Sequence, residues 1–149
     1  MSNLRSDESC WPLAILVLEG EQSLEQHLEL LAIWDRWFAR GERFVSLRLY
    51  LDSSSLDHVP GTARATKAWM KDGADARIRE TVSAMVMVTP PERYDAMKHL
   101  SVEAVFGVPG SICASADDAF DWIALSAGLE PTKVEAARTL VLSRYCLPA

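Results

Sequence analysis

Cysteine is scarce in this chain and badly placed for cross-linking: Cys10, Cys113 and Cys146 are the only three in 149 residues. An odd, widely spaced set makes neither a disulfide framework nor a pair of metal ligands. It reads instead as free thiols in a reducing compartment, where disulfides do not persist. Long apolar runs are missing too. The longest, Leu13 to Leu18, is far below the roughly 20 residues that cross a bilayer, and the opening MSNLRSDESC has acids and no apolar centre, unlike a signal peptide. The expectation is a cytoplasmic protein without membrane insertion. Positive charge is also in deficit. Fifteen Lys and Arg against 21 Asp and Glu give a net charge of -6, which disfavours the sequence-independent phosphate contacts that drive nucleic-acid binding.

Two chemical signatures are absent from the expected places. After the first apolar run stands Glu19-Gly20-Glu21-Gln22, acidic and with one glycine. A dinucleotide or triphosphate loop needs several glycines there, so that backbone amides can approach phosphate. No G-x-S-x-G elbow presents a nucleophilic serine. The expectation is a non-enzymatic chain with no cofactor and no metal.

What is present is the balance of an ordinary globular domain, 49% hydrophobic and 24% charged, at a length suited to one domain. Leu13–Leu18 reads as a strand buried on both faces. Ser23 and Gln26 form a capping box ahead of a helix over about 23–40, on which Leu24, Leu28, Leu31 and Phe38 recur at helical spacing with Trp34 and Trp37 widening the face. Residues 44–51 alternate at period two, Ser46, Arg48 and Tyr50 marking a wetter face. A polar loop, 52–61, leads to a helix capped by Thr62 that reaches the seventies, where Gly73 threatens to break it. A third strand over 83–89 follows. Thr89 caps the next helix, which restarts near Val102–Phe106. A short fourth strand over 111–114 precedes a helix capped by Ser115, and Pro131 opens the last helix, with a loose tail from Tyr145. Strands alternating with helices predict an α/β fold: a small, mostly parallel four-stranded sheet flanked by helices. One domain is expected, its core over about 11–128, with 129–149 a C-terminal helical extension.

His27, His58 and His99 stand apart from one another. His27 and His99 read as boundary or surface residues. His58 has the better company, because Asp52, Ser53, Ser54, Ser55 and Asp57 share its loop, and loops beyond the carboxyl ends of parallel strands are where ligands bind. Asp52, Asp57 and His58 could hold a metal, although Asp and Ser in loops more often satisfy their own backbone. The helix from 62 carries Arg64, Lys67, Lys71, Arg77 and Arg79 against two acids. Arg64, Lys67 and Lys71 are spaced to share a face, either plain solvated surface or a docking face for an acidic partner.

The order of elements, together with Leu51-Asp52-Ser53-Ser54-Ser55-Leu56-Asp57 after the second predicted strand, resembles STAS-like domains, the class of bacterial anti-sigma-factor antagonists. In that family a strand runs into an Asp-Ser-Ser-Gly-Leu turn that starts a helix, and one serine or threonine there is a phosphorylation switch. Here Ser55 stands where glycine is frequent, and Asp57–Gly61 separate the turn from the helix. Pro60, Arg64 and Trp69, and the run Asp117–Trp122, are similar to divergent members. The likeness stops before the last twenty residues. It implies a regulatory or adaptor module that binds a protein partner, with Asp52, Ser53, Ser54, Ser55, His58, Arg64, Lys67 and Lys71 as the regulatory and binding surface. Two other readings stay open: a small-molecule or lipid-binding domain, or small enzyme, using the 52–61 loop, and a structural homo-oligomer subunit.

Overall fold

The computed structural model describes residues 2–145; Cys146 and the tail beyond it lie outside them. Five strands form one sheet in sequential order: β1 (Asn3–Asp7), β2 (Leu13–Glu19), β3 (Phe44–Tyr50), β4 (Val82–Val88) and β5 (Gly110–Cys113). Strands β2 to β5 run parallel, and β1 lies antiparallel on the edge, pairing Leu4 with Leu18 and Ser6 with Leu16. The alternation of elements therefore gives the α/β class and a mostly parallel sheet, but with five strands rather than four. The strand absent from the sequence reading is β1. Its residues, NLRSD, carry no apolar alternation because an edge strand is short, half-exposed and polar. In consequence β2 is interior, and β3 is the central strand.

Sequential order has a geometric consequence. Each right-handed crossover steps to the next strand in the same direction, so every crossover helix lands on one face. The crossovers supply α1 (Leu24–Ala39), α2 (Thr62–Trp69), α3 (Asp75–Thr81), α4 (Pro91–Met97) and α5 (Val102–Phe106), and all but α4 contribute side chains to the core of that face. Its core joins Ala14, Leu16 and Leu18 of β2 to Trp34 and Trp37 of α1, Ile78 of α3 and Val102 of α5. The opposite face is left to the two helices after the last strand, α6 (Ala116–Ser126) and α7 (Pro131–Tyr145). There Leu13, Ile15 and Val17 pack with Phe120, Ile123, Val134, Ala137 and Val141, all 2% exposed or less. β2, covered twice, is apolar at every position from 13 to 18 for that reason.

The helix ends follow local chemistry. Ser23 accepts from Gln26 N and its backbone N–H is met by the Gln26 side chain, completing the expected box. Ser115 caps α6 by accepting from Asp118 N. Two expected caps move. Thr62 is the first residue of α2 rather than its cap, its hydroxyl donating to the Val59 carbonyl, and Gly61 holds the cap position. Pro90, not Thr89, precedes α4. The apolar face of α1 also differs: Leu30, Leu31, Ile33, Trp34 and Trp37 are buried, whereas Leu24 and Leu28 are 39% and 49% exposed. The tryptophans set the rotation. Trp34 and Trp37 pack at 5.1 Å between ring centroids, each also against Phe44 of β3, and such rings bury more apolar area than leucine.

Candidate functional site

The turn after β3 is built around one carboxylate. Asp52 accepts from Gly20 N through both oxygens (3.0 and 3.1 Å), from Ser54 Oγ (3.1 Å) and from Ser55 N (3.0 Å). It thereby ties the end of β2 to the end of β3 and caps a single 3-10 turn, Ser53–Leu56. Ser55, 3% exposed, donates its hydroxyl to the Asp52 carbonyl at 2.6 Å. Ser53 is held differently. Arg93 of α4 donates to the Ser53 carbonyl (3.1 Å), to Ser53 Oγ (3.2 Å) and to Asp57 (3.2 Å). The three conceivable metal ligands of this loop do not gather into a site: Asp52 serves backbone amides and Asp57 pairs with Arg93. Among the described residues no three His, Cys, Asp or Glu side chains gather as a metal site.

The basic helix does not run straight. α2 ends at Trp69, a π turn spans Met70–Ala74 around Gly73 at φ 127°, and α3 continues from Asp75. Arg64 and Lys67 therefore lie on α2 and Lys71 lies in the π turn, all three exposed. None of the three has a carboxylate oxygen within 4.0 Å among the described residues. His99, two residues past the last residue of α4, is exposed.

A cleft opens where α1 and α2 straddle β3. Its mouth, about 410 Å³, is lined by His27, Arg48, His58, Thr62, Ala63, Thr66 and Lys67. A recess of about 70 Å³ continues from it under Leu30, Leu31, Trp34, Trp69, Met85 and Phe106, with His27, Arg48 and Thr66 shared between the two. Two side-chain bonds brace the walls: His27 Nε2 with Thr66 Oγ1 at 2.6 Å, and Trp69 Nε1 donating to Asp35 at 2.8 Å. The structure brings His58 and Lys67 to this mouth and leaves Arg64 and Lys71 away from it.

His27 and Arg48 escaped sequence reasoning as functional candidates. Burial holds the His27 imidazole below its ordinary pKa of 6.5, and the charges of Arg48 and His58 push the same way. Arg48 projects from the central strand on the face covered by α1 and α2, and its only hydrogen-bond partner among the described residues is the Tyr50 hydroxyl at 3.4 Å. The signal for it was the charge itself: in a mostly parallel sheet flanked by helices, an arginine in FVSLRLY marks a place where the covering leaves room for it. Isolation in sequence hid His27.

No family model, curated protein or solved structure matches this chain.

Proposed function

We propose that the protein is a non-enzymatic, STAS-like regulatory or adaptor module that binds a protein partner in the cytoplasm. One surface carries this reading. On α1, Leu24 and Leu28 stand exposed one turn apart, Leu24 packing against Gly61 at the start of α2. Beside them α2 presents the exposed Arg64 and Lys67, without acidic partners among the described residues, followed by Lys71. An apolar centre with a charged rim is the anatomy of an interface, and the sign of the rim selects an acidic partner.

The neighbouring turn supports regulation at Ser53. Ser55 is buried and Ser54 is committed to Asp52, whereas the Ser53 hydroxyl is half-buried beside Arg93. A phosphate there adds about −1.5 to −2 charges at pH 7. Arg93 can take that phosphate in a paired hydrogen bond, releasing Asp57 and changing the charge of the turn.

The test is quantitative co-purification from the native host, comparing wild type with Leu28→Glu, Ser53→Asp and the triple Arg64→Glu, Lys67→Glu, Lys71→Glu. The expected outcome is one partner lost from the Leu28 and triple variants and altered in recovery by Ser53→Asp. Unchanged recovery in all three, with native circular dichroism, removes this surface from the function. Recovery of the chain itself as the only partner assigns the surface to a homo-oligomer instead.

A further inference from the structure

The cleft between α1 and α2 adjoins the partner surface and shares Lys67 with it, and Arg48 makes it chemically specific. A guanidinium half-buried on the central strand is expensive unless its charge is paired. Among the described residues the cleft supplies only a tyrosine hydroxyl. Asp57, the acid on the adjoining wall, is engaged by Arg93. The remaining polar groups at the mouth, His27, His58, Thr62, Thr66 and Lys67, include no anion. From these observations we propose that the cleft binds a small aliphatic carboxylate, its carboxylate on Arg48 and its hydrocarbon tail in the recess.

Charge and size narrow the class. Arginine's planar fork matches a carboxylate bidentately. Burial disfavours the charged form of His27, and Lys67 is exposed at the rim. One inner fixed charge balances a monoanion and leaves a dianionic phosphate undercompensated. The mouth, about 410 Å³, lies within the range of small-molecule sites. The recess, about 70 Å³, is near half of the roughly 150 Å³ cavity that accommodates benzene. It takes a short branched chain and excludes an aromatic ring or a long acyl tail.

Isovalerate, isovaleramide and inorganic phosphate are the probes, titrated into the whole protein. Binding is followed by intrinsic fluorescence, since Trp34 and Trp69 line the recess, and by shifts of the His27 ring and Thr66 methyl resonances. Isovalerate is expected to saturate both signals, while the isosteric amide and phosphate bind at least about tenfold more weakly, the loss that goes with one charge-assisted hydrogen bond. Arg48→Gln is expected to weaken isovalerate by a similar factor, and Lys98→Gln, past the end of α4 and outside the cleft, to leave it unchanged. The proposal falls if isovalerate gives no saturable response, if the amide or phosphate binds as tightly, or if a folded Arg48→Gln protein retains wild-type affinity. Should that variant not fold, the acid and amide compared on wild type decide the matter alone.

Discussion

At the scale of single residues, the two central tryptophans and one histidine carry the sharpest consequences. Trp34 and Trp37 are 2% and 0% exposed, and their rings meet Phe44 beneath β2 and β3. Their indole N–H groups find no acceptor among the described residues, so they are held by area and ring geometry against a polar cost of about 1–3 kcal/mol. Truncating either to alanine is expected to cost about 3–5 kcal/mol, read from the urea midpoint at constant slope. No change in the midpoint would mean that α1 is rotated differently. His27 couples the cleft to pH. Its folded pKa is depressed, so the unfolded chain binds the extra proton first as pH falls. The His27 contribution to stability is therefore complete above about pH 6.5 and is lost as pH drops through the lower folded value. Denaturant midpoints measured between neutral and mildly acid pH should fall less for His27→Gln than for wild type. Equal slopes for the two proteins would show that another group carries the acid sensitivity.

At the scale of elements, two local devices shape the site. The first is the Asp52 cap, one carboxylate gathering two backbone amides and a serine hydroxyl. Asp52→Ala leaves those donors half-buried and is expected to cost about 1–3 kcal/mol, visible both in the unfolding midpoint and as faster amide exchange at Gly20 and Ser55. An unchanged exchange rate at Gly20 would deny that Asp52 bridges the two strand ends. The second is the π turn. Gly73, at φ 127° with open space around the position of a Cβ, is constrained by backbone conformation alone. Gly73→Ala is expected to destabilise by about 1–2 kcal/mol, although alanine is the better helix former. A more stable Gly73→Ala protein would mean that the helix prefers to run straight there. The capping box at Ser23, the Ser115 cap and the position of Gly73 were all readable in sequence, because each depends on residues within a few positions. The Thr62 and Thr89 caps were misread because serine and threonine signals do not fix a boundary to one residue. In the structure a glycine and a proline hold those positions.

At the scale of the molecule, the second face of the sheet rests on the two helices that follow the last strand. Val134, Ala137 and Val141 of α7 close over Leu13, Ile15 and Val17 in one buried cluster, and Arg138 pairs with Asp117 and Asp121 to fix α7 on α6. Uncovering two valines and their neighbours forfeits roughly 1.5–3 kcal/mol for each large side chain, a substantial part of the roughly 5–15 kcal/mol of a domain. A chain ending at Glu130 is expected to aggregate or to lose its cooperative unfolding transition. A truncated chain that stays monomeric, with an unchanged thermal midpoint, would make α7 dispensable. Sequence alone determined the α/β class, the four parallel strands within a residue or so and the buried β2, since period, propensity and caps are local quantities. It also placed Asp52 to His58 in one loop after a strand. It did not determine β1, whose polar residues become a strand only because β2 offers an unpaired edge. Nor did it determine which side of α1 faces inward, which depends on where Trp34 and Trp37 find room against Phe44. The meeting of His27, Arg48, His58 and Lys67 was decided by tertiary structure alone: they come from α1, β3, the loop and α2, and sequential strand order with right-handed crossovers is what lays those elements side by side on one face.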